Sequence, residues 1–354
     1  MLLVVNAGSS SIKLAVFDDR LQQVLAGSVT EIGGAGRLRC GYFAAACAAP
    51  DHRAALALMF DAMAGQGAPL SALTAAAHRV VHGGEALVQP CRITPAVVAG
   101  IESCVPLAPL HNPANLTAIN ALADLAPDLP QYASFDTAFH ASNPAVAVTY
   151  ALPLAERERG LRRYGFHGIS YAGLVDSLGA DVPRRLLALH LGNGASACAI
   201  LDGRSVASTM GYSPLDGLTM GTRCGAIDGN AVLRLVELHG AEGAARILNR
   251  ESGLLALGGT NDMRALQEAG TPEAAFARDH FRYWAVRHCG SLIAAMEGLD
   301  AIAFTGGIGE NDAEMREAIA AGLAWAGNVS VLVVQAEEER TIAAEAQSLQ
   351  RSGL

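Results

Sequence analysis

Lysine is nearly absent from this chain. It occurs once in 354 residues, as Lys13, and every other one of the 25 basic residues is arginine. Because lysine is excluded almost everywhere else, its retention here indicates a specific role. Lys13 closes the run Asn6 to Lys13 (Asn-Ala-Gly-Ser-Ser-Ser-Ile-Lys), which follows the apolar Leu2 to Val5 and predicts a strand, a tight turn and a second strand. Such a turn exposes backbone N–H groups that suit a phosphate, and lysine adds a compact positive charge. An ordinary hairpin with a surface lysine is the alternative.

Other absences exclude whole classes of protein. The net charge is −9 with a pI of about 5.6, and no basic stripe occurs, which argues against a nucleic-acid partner. No apolar run approaches about 18 residues, so we expect no membrane-spanning helix. The N-terminus lacks a basic start and a cleavage site, so no signal peptide is expected. The seven cysteines are scattered and form no CxxC pair, which predicts reduced thiols in a cytoplasmic protein.

The segment from Leu186 to Arg204 repeats the N-terminal pattern without a gap. Asn6 aligns with His190 and Gly8 with Gly192, an offset of 184 residues (190 − 6). A repeat of that length indicates a duplicated domain rather than a solenoid unit. Two glycine-rich turns on opposing domains would clamp a nucleotide. Chance similarity between two hairpins is the alternative.

Size and composition fit two domains of mixed α/β architecture. A mass of 36.5 kDa is large for one core, and 51% hydrophobic residues can fill two. Apolar runs alternate with helical patterns, as in α/β proteins. The predicted helices are 113–126, 230–250, 273–298, 313–326 and one from about 337, and the alanine-rich stretch 44–64 is also compatible with a helix. The predicted strands include 74–82, 300–305 and 329–334.

Three further stretches are candidates for phosphate chemistry. Gly306 to Asn311 follows a predicted strand and precedes a predicted helix, so its amides could hold a nucleotide, or it is only a structural turn. It does not have the Walker pattern, and the N-terminus does not have the Rossmann pattern. Arg79 and Arg223 lie in apolar, glycine-rich surroundings, where an arginine is costly to bury without an anion. Each could grip a transferring phosphoryl group or form an internal salt bridge.

Several polar residues are weaker candidates. Asp136 and His167 occupy polar positions among aromatic residues, although a lone histidine is more often a satisfied core residue than a catalyst. The triplet Glu337-Glu338-Glu339 would ordinarily start a solvated helix, but one of the three could hold Mg²⁺. Which of them would do so stays open.

Together these motifs resemble the acetokinase family, within the acetate and sugar kinase/Hsp70/actin superfamily. The resemblance covers nearly the whole chain in order. The matching runs are 6–13, 78–84, 108–113, 135–140, 163–168, 190–196, 210–225, 304–311 and 338–339 followed by 342–343.

The resemblance implies an α/β fold of two duplicated RNase H-like (actin-like ATPase) domains around a nucleotide cleft. The implied domain limits are 1–145 plus 340–354 for the N-terminal domain and 146–339 for the C-terminal one. The implied activity is reversible phosphorylation of acetate to acetyl phosphate by direct in-line transfer from ATP. Mg²⁺, with Mn²⁺ as a substitute, is the implied cofactor, and the implied assembly is a cytoplasmic homodimer formed through the second domain.

The same resemblance assigns roles by matching position. The implied catalytic residues are Asp136, His167 and Arg223, and the implied metal ligands are Asn6 and Glu338. The implied acid-binding residues are Arg79, Val81, Leu110 and Pro214. The implied nucleotide-binding residues are Lys13, His190, Leu191, Gly192, Asn193, Gly194, Asp262, Met263, Arg264, Gly307, Ile308, Gly309, Glu310 and Asn311.

The implied reaction agrees with the chemistry of these side chains. A carboxylic acid with a pKa near that of glutamate, about 4.3, is already ionised at pH 7 and needs no strong base. The obstacle is the approach of one anion to another, which Arg79, Arg223, Lys13 and Mg²⁺ would relieve. His167 would donate a hydrogen bond to the phosphoryl group. Asp136 would orient an arginine or a Mg²⁺-bound water rather than move a proton.

The chain departs from the family pattern in several places. Ala226 and Tyr171 stand where the family usually has aspartate and histidine, the region 31–70 and the C-terminus are shorter than usual, and the acidic pair follows Ala336-Glu337 instead of Thr-Asn.

Other functions stay open. The nearest alternative is a propionate or butyrate kinase of the same family, because a methylene changes binding by only about 1–3 kcal/mol. A nucleotide-driven Hsp70/actin-like conformational ATPase and an inactive homologue are the remaining alternatives.

Overall fold

The computed structural model describes residues 1–353, which fold into two compact units. The first contains Met1–Ala138 together with the chain from Glu337 onward, and the second contains Phe139–Ala336. Each is built on a β-sheet with helices packed against it. The domain limits expected from the sequence, 1–145 plus 340–354 and 146–339, stay a prediction.

The elements are numbered in chain order. The strands are β1 Leu2–Ala7, β2 Ser11–Phe17, β3 Gln23–Thr30, β4 Arg37–Cys40, β5 Phe43–Ala46, β6 Ala75–Val80, β7 Cys91–Arg92, β8 Gln131–Phe135, β9 Arg185–Leu191, β10 Ala195–Leu201, β11 Arg204–Ser208, β12 Ala301–Thr305 and β13 Ser330–Val333. The helices are α1 His52–Gly65, α2 Pro95–Ser103, α3 Asn112–Leu125, α4 Ala145–Val148, α5 Leu154–Arg157, α6 Gly168–Leu178, α7 Gly229–Arg250, α8 Gly253–Gly258, α9 Met263–Ala269, α10 Pro272–Ala295, α11 Gly306–Asn311, α12 Ala313–Gly322 and α13 Glu338–Arg351.

The sheets of the two units share one strand arrangement. The first has the order β5-β4-β3-β2-β1-β6-β8-β7 and the second β11-β10-β9-β12-β13. In each, the first strand, β1 or β9, pairs antiparallel with the next strand and parallel with a later one, β6 or β12. Strands β2 and β10 begin 184 residues apart (195 − 11). The duplication predicted from the sequence is therefore confirmed.

Helices α1 and α3 cover one face of the first sheet. Leu3 and Val5, two residues apart on β1, point to the same face and share a water-free core with Leu56 and Met59 of α1 and Leu122 of α3. The three-residue spacing of the α1 pair places both side chains on one side of that helix. Helix α13 packs against β1, β6 and β8, so the chain returns to the first unit after completing the second.

In the second unit, α6 and α10 pack on the sheet. Tyr171 and Leu174 of α6 share a core with Leu186, Ala188 and Cys198 of β9 and β10. Helix α10 contacts β9, β10 and β11. Among residues 1–353, no helix has both the length and the apolar character needed to cross a lipid bilayer.

The predicted helices 113–126, 230–250, 273–298 and 313–326 are observed as α3, α7, α10 and α12. The interpretation of 44–64 as one helix was wrong in its first part, since Phe43–Ala46 forms β5. Helix α1 begins only at His52, because the Asp51 carboxylate caps it by accepting from Ala54 N at 2.8 Å. Gly306–Asn311, expected as a turn, is the short helix α11.

Candidate active site

Three candidate side chains lie at the carboxyl ends of neighbouring strands in the first unit. Asn6 is on β1, Arg79 is on β6 and Asp136 directly follows β8, and these strands are parallel neighbours. Arg79 Nε and Nη2 donate to the two carboxylate oxygens of Asp136 at 3.1 and 2.6 Å. Arg79 Nη1 lies 3.5 Å from Asn6 Oδ1. The bidentate contact fixes the plane of the guanidinium group.

The pair of Arg79 and Asp136 is withdrawn from water, and Asp136 is only 2% exposed. Burial raises the pKa of Asp136, and the guanidinium of Arg79 opposes that rise. Burial alone would lower the pKa of Arg79, but the carboxylates of Asp136 and Glu338 outweigh it and the pKa lies above its usual value. Arg79 therefore keeps its positive charge in this site.

The three glutamates at the start of α13 have different surroundings. Glu337 is on the surface, 3.6 Å from Arg340. Glu339 lines a cavity of about 370 Å³ together with Lys13. Glu338 is half-buried, and its charge raises the pKa values of the buried arginine and aspartate on the neighbouring strand ends.

The loop after β6 carries the candidate acid-binding residue Val81, which is buried. Val81 N donates to Asn115 Oδ1 at 3.2 Å, and Asn115 Nδ2 donates to the carbonyl of Ala7 at 2.9 Å. Asn112, one turn earlier on α3, accepts from His82 N at 3.2 Å and donates to the carbonyl of the same residue at 3.0 Å. These two buried asparagines connect the loop to the end of β1.

Asn112 and Asn115 were not among the candidate site residues predicted from the sequence. The available signal was their spacing of three residues on a helix that is otherwise apolar on its buried side. Leu110, which precedes α3, is 47% exposed in this structure. Val81, the other apolar acid-binding candidate in the first unit, is buried.

In the second unit, His167 and Arg223 converge on the glycine-rich turn between β9 and β10. A Cβ atom on Gly194 would lie 3.2 Å from His167 Nε2 and 3.6 Å from Arg223 Nη1. Arg223 Nη1 donates to the carbonyl of Pro214 at 3.0 Å, which joins a candidate catalytic residue to a candidate acid-binding one. A hydrogen-bonding imidazole and a guanidinium thus face the same backbone position.

His167 is held in an unusual conformation. Its φ is +58°, a left-handed value that few non-glycine residues adopt, and it immediately precedes α6. Its Nδ1 lies 2.8 Å from Ser196 Oγ, and its ring packs 4.3 Å from the ring of His190, centroid to centroid. His190 Nδ1 lies 2.8 Å from Ser170 Oγ. Both rings are therefore oriented by serine hydroxyls.

A cavity of about 540 Å³ in the second unit brings together most of the candidate nucleotide residues. That volume is in the range of small-molecule sites. The predicted residues that line it are Gly192, Asn193, Asp262, Met263, Arg264, Gly307, Ile308 and Asn311, and the sequence analysis missed the additional lining residues Asn261, Gln267 and Asp312.

The other candidates from these segments do not line that cavity. Gly309 is buried against Phe304, and the Glu310 carboxylate accepts from Gly306 N at 3.0 Å and Ala336 N at 2.9 Å, so it braces α11. Gly306 has a φ of +79°, and a Cβ there would lie 2.8 Å from the Leu191 carbonyl. Glycine at that position lets α11 approach the turn after β9.

The fold and these groups define an ATP-dependent kinase of the α/β class with two related domains. The sequence profile of the acetokinase family matches residues 1–348, and the chain belongs to that family. It is 44% identical over 348 residues to the acetate kinase of Rhodopseudomonas palustris, covering 92% of this chain and 87% of that protein. The resemblance to the acetokinase family that the sequence motifs indicated is confirmed.

Solved structures agree with this assignment. The acetate kinase of Porphyromonas gingivalis is 33% identical, with a TM-score of 0.91 over 99% of both chains. The propionate kinase of Francisella tularensis subsp. tularensis is 32% identical, with a TM-score of 0.93 over 97% of this chain and 98% of that one. The enzyme class, a phosphotransferase with a carboxyl group as acceptor, follows from the family.

Removing Asp136 should destabilise the first unit strongly. Asp136→Ala leaves the buried Arg79 without its bidentate partner, and breaking a buried pair lowers the free energy of unfolding by about 3–5 kcal/mol. Urea unfolding followed by circular dichroism measures the change. The matched control is Glu156→Ala, which breaks the exposed pair with Arg159 and should cost about 0–1 kcal/mol. Equal losses in the two variants would contradict the buried-pair interpretation.

Adding one methyl group at Gly194 should impair turnover without unfolding the protein. The new Cβ would lie only 3.2 Å from His167 Nε2, so the imidazole would have to move by a few tenths of an ångström, whereas Arg223 Nη1, at 3.6 Å, would be in ordinary contact. Misplacement of a catalytic group is costly to rate. We expect Gly194→Ala to lower kcat by about tenfold or more. Gly229→Ala is the control, because a Cβ at that position meets nothing within 4 Å. Unchanged kcat in Gly194→Ala would show that the convergence has no role in turnover.

Proposed function

We propose that this chain catalyses the reversible transfer of the γ-phosphoryl group of ATP to acetate, giving acetyl phosphate by direct in-line displacement. The observation that carries the proposal is the convergence of His167 and Arg223 on Gly194, within a glycine-rich turn suited to phosphate oxygens. The printed names of the Rhodopseudomonas and Porphyromonas relatives support acetate as the acceptor.

Each proposed role follows from a contact. Arg79 binds the acid or the phosphoryl group, and Asp136 orients it through their two hydrogen bonds rather than acting as a base. Because acetate is already ionised at neutral pH, proton removal is not required. His167 donates a hydrogen bond to the phosphoryl group and Arg223 stabilises its charge as it transfers.

The nucleotide is proposed to bind in the second unit. The cavity that Asn193, Asp262 and Gly307 help to line has a suitable volume, and its glycines allow close approach of phosphates to the backbone. His190, Leu191, Gly194, Gly309 and Glu310 contribute by shaping the turn and α11. Lys13, exposed on β2, contributes positive charge for the phosphates.

We propose that Mg²⁺ binds through Asn6 and Glu338. The donor set fits, because an amide oxygen and a carboxylate are hard ligands and Mg²⁺ typically uses one or two carboxylates plus substrate phosphates. The charges of Glu338 and Glu339 both act on the buried Arg79, but of these two only that of Glu338 also acts on Asp136. Glu337 is near Arg340 on the surface. When bound, the ion would neutralise phosphate charge.

Val81 and Leu110 of the first unit and Pro214 of the second are the residues proposed to bind the acid, because their apolar side chains suit a methyl group. Propionate is the second candidate acceptor, since the Francisella propionate kinase shares the fold at a TM-score of 0.93. We also propose domain limits at 1–145 plus 340–354 and 146–339, and a cytoplasmic location, which fits the free thiols of all seven cysteines.

We propose a homodimer formed through α7 of the second unit. Gly240, with a φ of +70°, divides this helix, and the part before it exposes apolar side chains on more than one of its sides. Leu233 and Leu238 are 62% and 55% exposed, and Val236 lies between them. A second copy of the chain would remove that surface from water.

Acyl-phosphate formation tests the proposed activity. The purified chain with Mg-ATP should convert acetate to a hydroxamate-trapped acyl phosphate. It should use propionate and butyrate less well, as expected if acetate is its acceptor, as the names of the acetate kinase relatives suggest. Arg223→Ala should lower kcat by about 10³.

Three outcomes would contradict parts of this proposal. Equal or better use of propionate would make the chain a propionate kinase. Full activity in Arg223→Ala would remove that arginine from the mechanism. ATP binding without acyl phosphate from any acid would favour a nucleotide-driven switch.

A charge on α7 should dissociate the proposed dimer. Leu233→Glu would force a carboxylate into the apolar contact, so light scattering should give twice the single-chain mass for the parent protein and 36.5 kDa for the variant. Leu154→Glu, at a leucine that is 59% exposed elsewhere in the second unit, should leave the dimer intact. A monomeric parent protein would end the dimer proposal.

A further inference from the structure

A continuous chain of hydrogen bonds leads from Tyr171 to His167. Tyr171, on α6, is fully buried, and its hydroxyl lies 2.6 Å from Ser196 Oγ. Ser196, on β10, is also fully buried, and its Oγ lies 2.8 Å from His167 Nδ1.

The direction of these hydrogen bonds follows from a count of protons. Tyr171 is fully buried, so its phenol O–H needs an acceptor inside the protein, and Ser196 Oγ lies 2.6 Å from the phenol oxygen. Burial raises the pKa of Tyr171 well above 10, so the phenol keeps its proton and donates it to Ser196 Oγ. Ser196 has one hydroxyl proton of its own, and the remaining neighbour that can accept it is His167 Nδ1.

The imidazole of His167 then has a defined tautomer. If Nδ1 accepts from Ser196, the proton of the neutral ring is on Nε2. Nε2 is the nitrogen that faces Gly194, 3.2 Å from where a Cβ atom would be. Building on the phosphotransfer proposed above, we infer that Tyr171 is a positioning residue that acts through Ser196 to keep the proton of His167 on Nε2.

The tautomer matters because the two neutral forms present opposite partial charges at Nε2 to a phosphoryl group. The Nε2–H form offers a donor to the anionic oxygens, whereas the Nδ1–H form offers a lone pair that repels them. The ring is stacked on His190, and a flip of the ring would exchange each nitrogen with a carbon rather than Nε2 with Nδ1, so Nε2 is the nitrogen that faces the turn in either tautomer. Tyr171 and Ser196 thereby select which nitrogen acts as donor.

A purely structural role for Tyr171 makes different predictions. Its ring packs with Leu174, Leu186 and Cys198 in the core of the second unit, so a large substitution would disturb folding. Tyr171→Phe keeps the ring and removes only the hydroxyl. The matched control is Tyr164→Phe, which removes another largely buried hydroxyl, one that donates to the carbonyl of Gly160 at 3.0 Å.

The test combines kinetics with a spectroscopic readout. Without the phenol proton, Ser196 Oγ can accept from Nδ1–H as readily as it donates to Nδ1. We therefore expect Tyr171→Phe to lower kcat by about tenfold, and Ser196→Ala by about 10²-fold, with KM for acetate and ATP unchanged. In the double variant, Tyr171→Phe should add nothing, because its effect passes through Ser196. Tyr164→Phe should leave kcat unchanged.

Nitrogen-15 NMR of histidine-labelled protein reads the tautomer directly, with the His167 signal identified by its loss in His167→Gln. The parent protein should show Nε2 protonated, and both Tyr171→Phe and Ser196→Ala should shift population to Nδ1–H. An unchanged tautomer in both variants would overturn the inference. So would a loss of kcat equal to that of Tyr164→Phe, or additive losses in the double variant. The NMR result needs no turnover, so failure of the phosphotransfer proposal would be recognised separately in the acyl-phosphate assay.

Discussion

The buried ion pair of Arg79 and Asp136 is the interaction on which the first unit depends. Charges withdrawn from water are tolerated only when they are matched and hydrogen-bonded, and here the match is bidentate. It requires β6 and β8 to be adjacent and parallel, so that both side chains leave the sheet at one edge. Asn6 lies at the same edge, on β1, and α13 packs against the same strands.

The second unit reuses the same strand arrangement with one change of register. In the first hairpin Asn6 pairs with Lys13, but in the second His190 pairs with Ser196 rather than with the aligned Ala197. The second turn is therefore one residue shorter than the first. Because a slip of one residue moves a side chain to the other face of a strand, this difference presents Ser196 where the first hairpin presents lysine. The first hairpin therefore presents a lysine, whereas the second presents a serine whose Oγ lies 2.8 Å from His167 Nδ1.

Local patterns predicted much of this protein, and long-range contacts account for what they missed. The offset between the hairpins and the periodicity of α3, α7 and α10 were visible because each depends on residues close in sequence. The roles of Asn112 and Asn115 were not, since their partners are the carbonyl and amide groups of distant loops. The different surroundings of Glu337, Glu338 and Glu339 likewise depend on where α13 packs. In residues 44–64, the high alanine content suggested a helix throughout, although the segment begins with the end of β5 and α1 starts only after the cap at Asp51.

The return of α13 to the first unit has a consequence for the order of events during synthesis. Strands β1, β6 and β8 emerge from the ribosome early, but the helix that covers them follows the whole of the second unit. The half that is made first is thus the half that is completed last. Glu338 travels on that helix, so the first unit gains its proposed metal ligand only when the second is already in place along the chain.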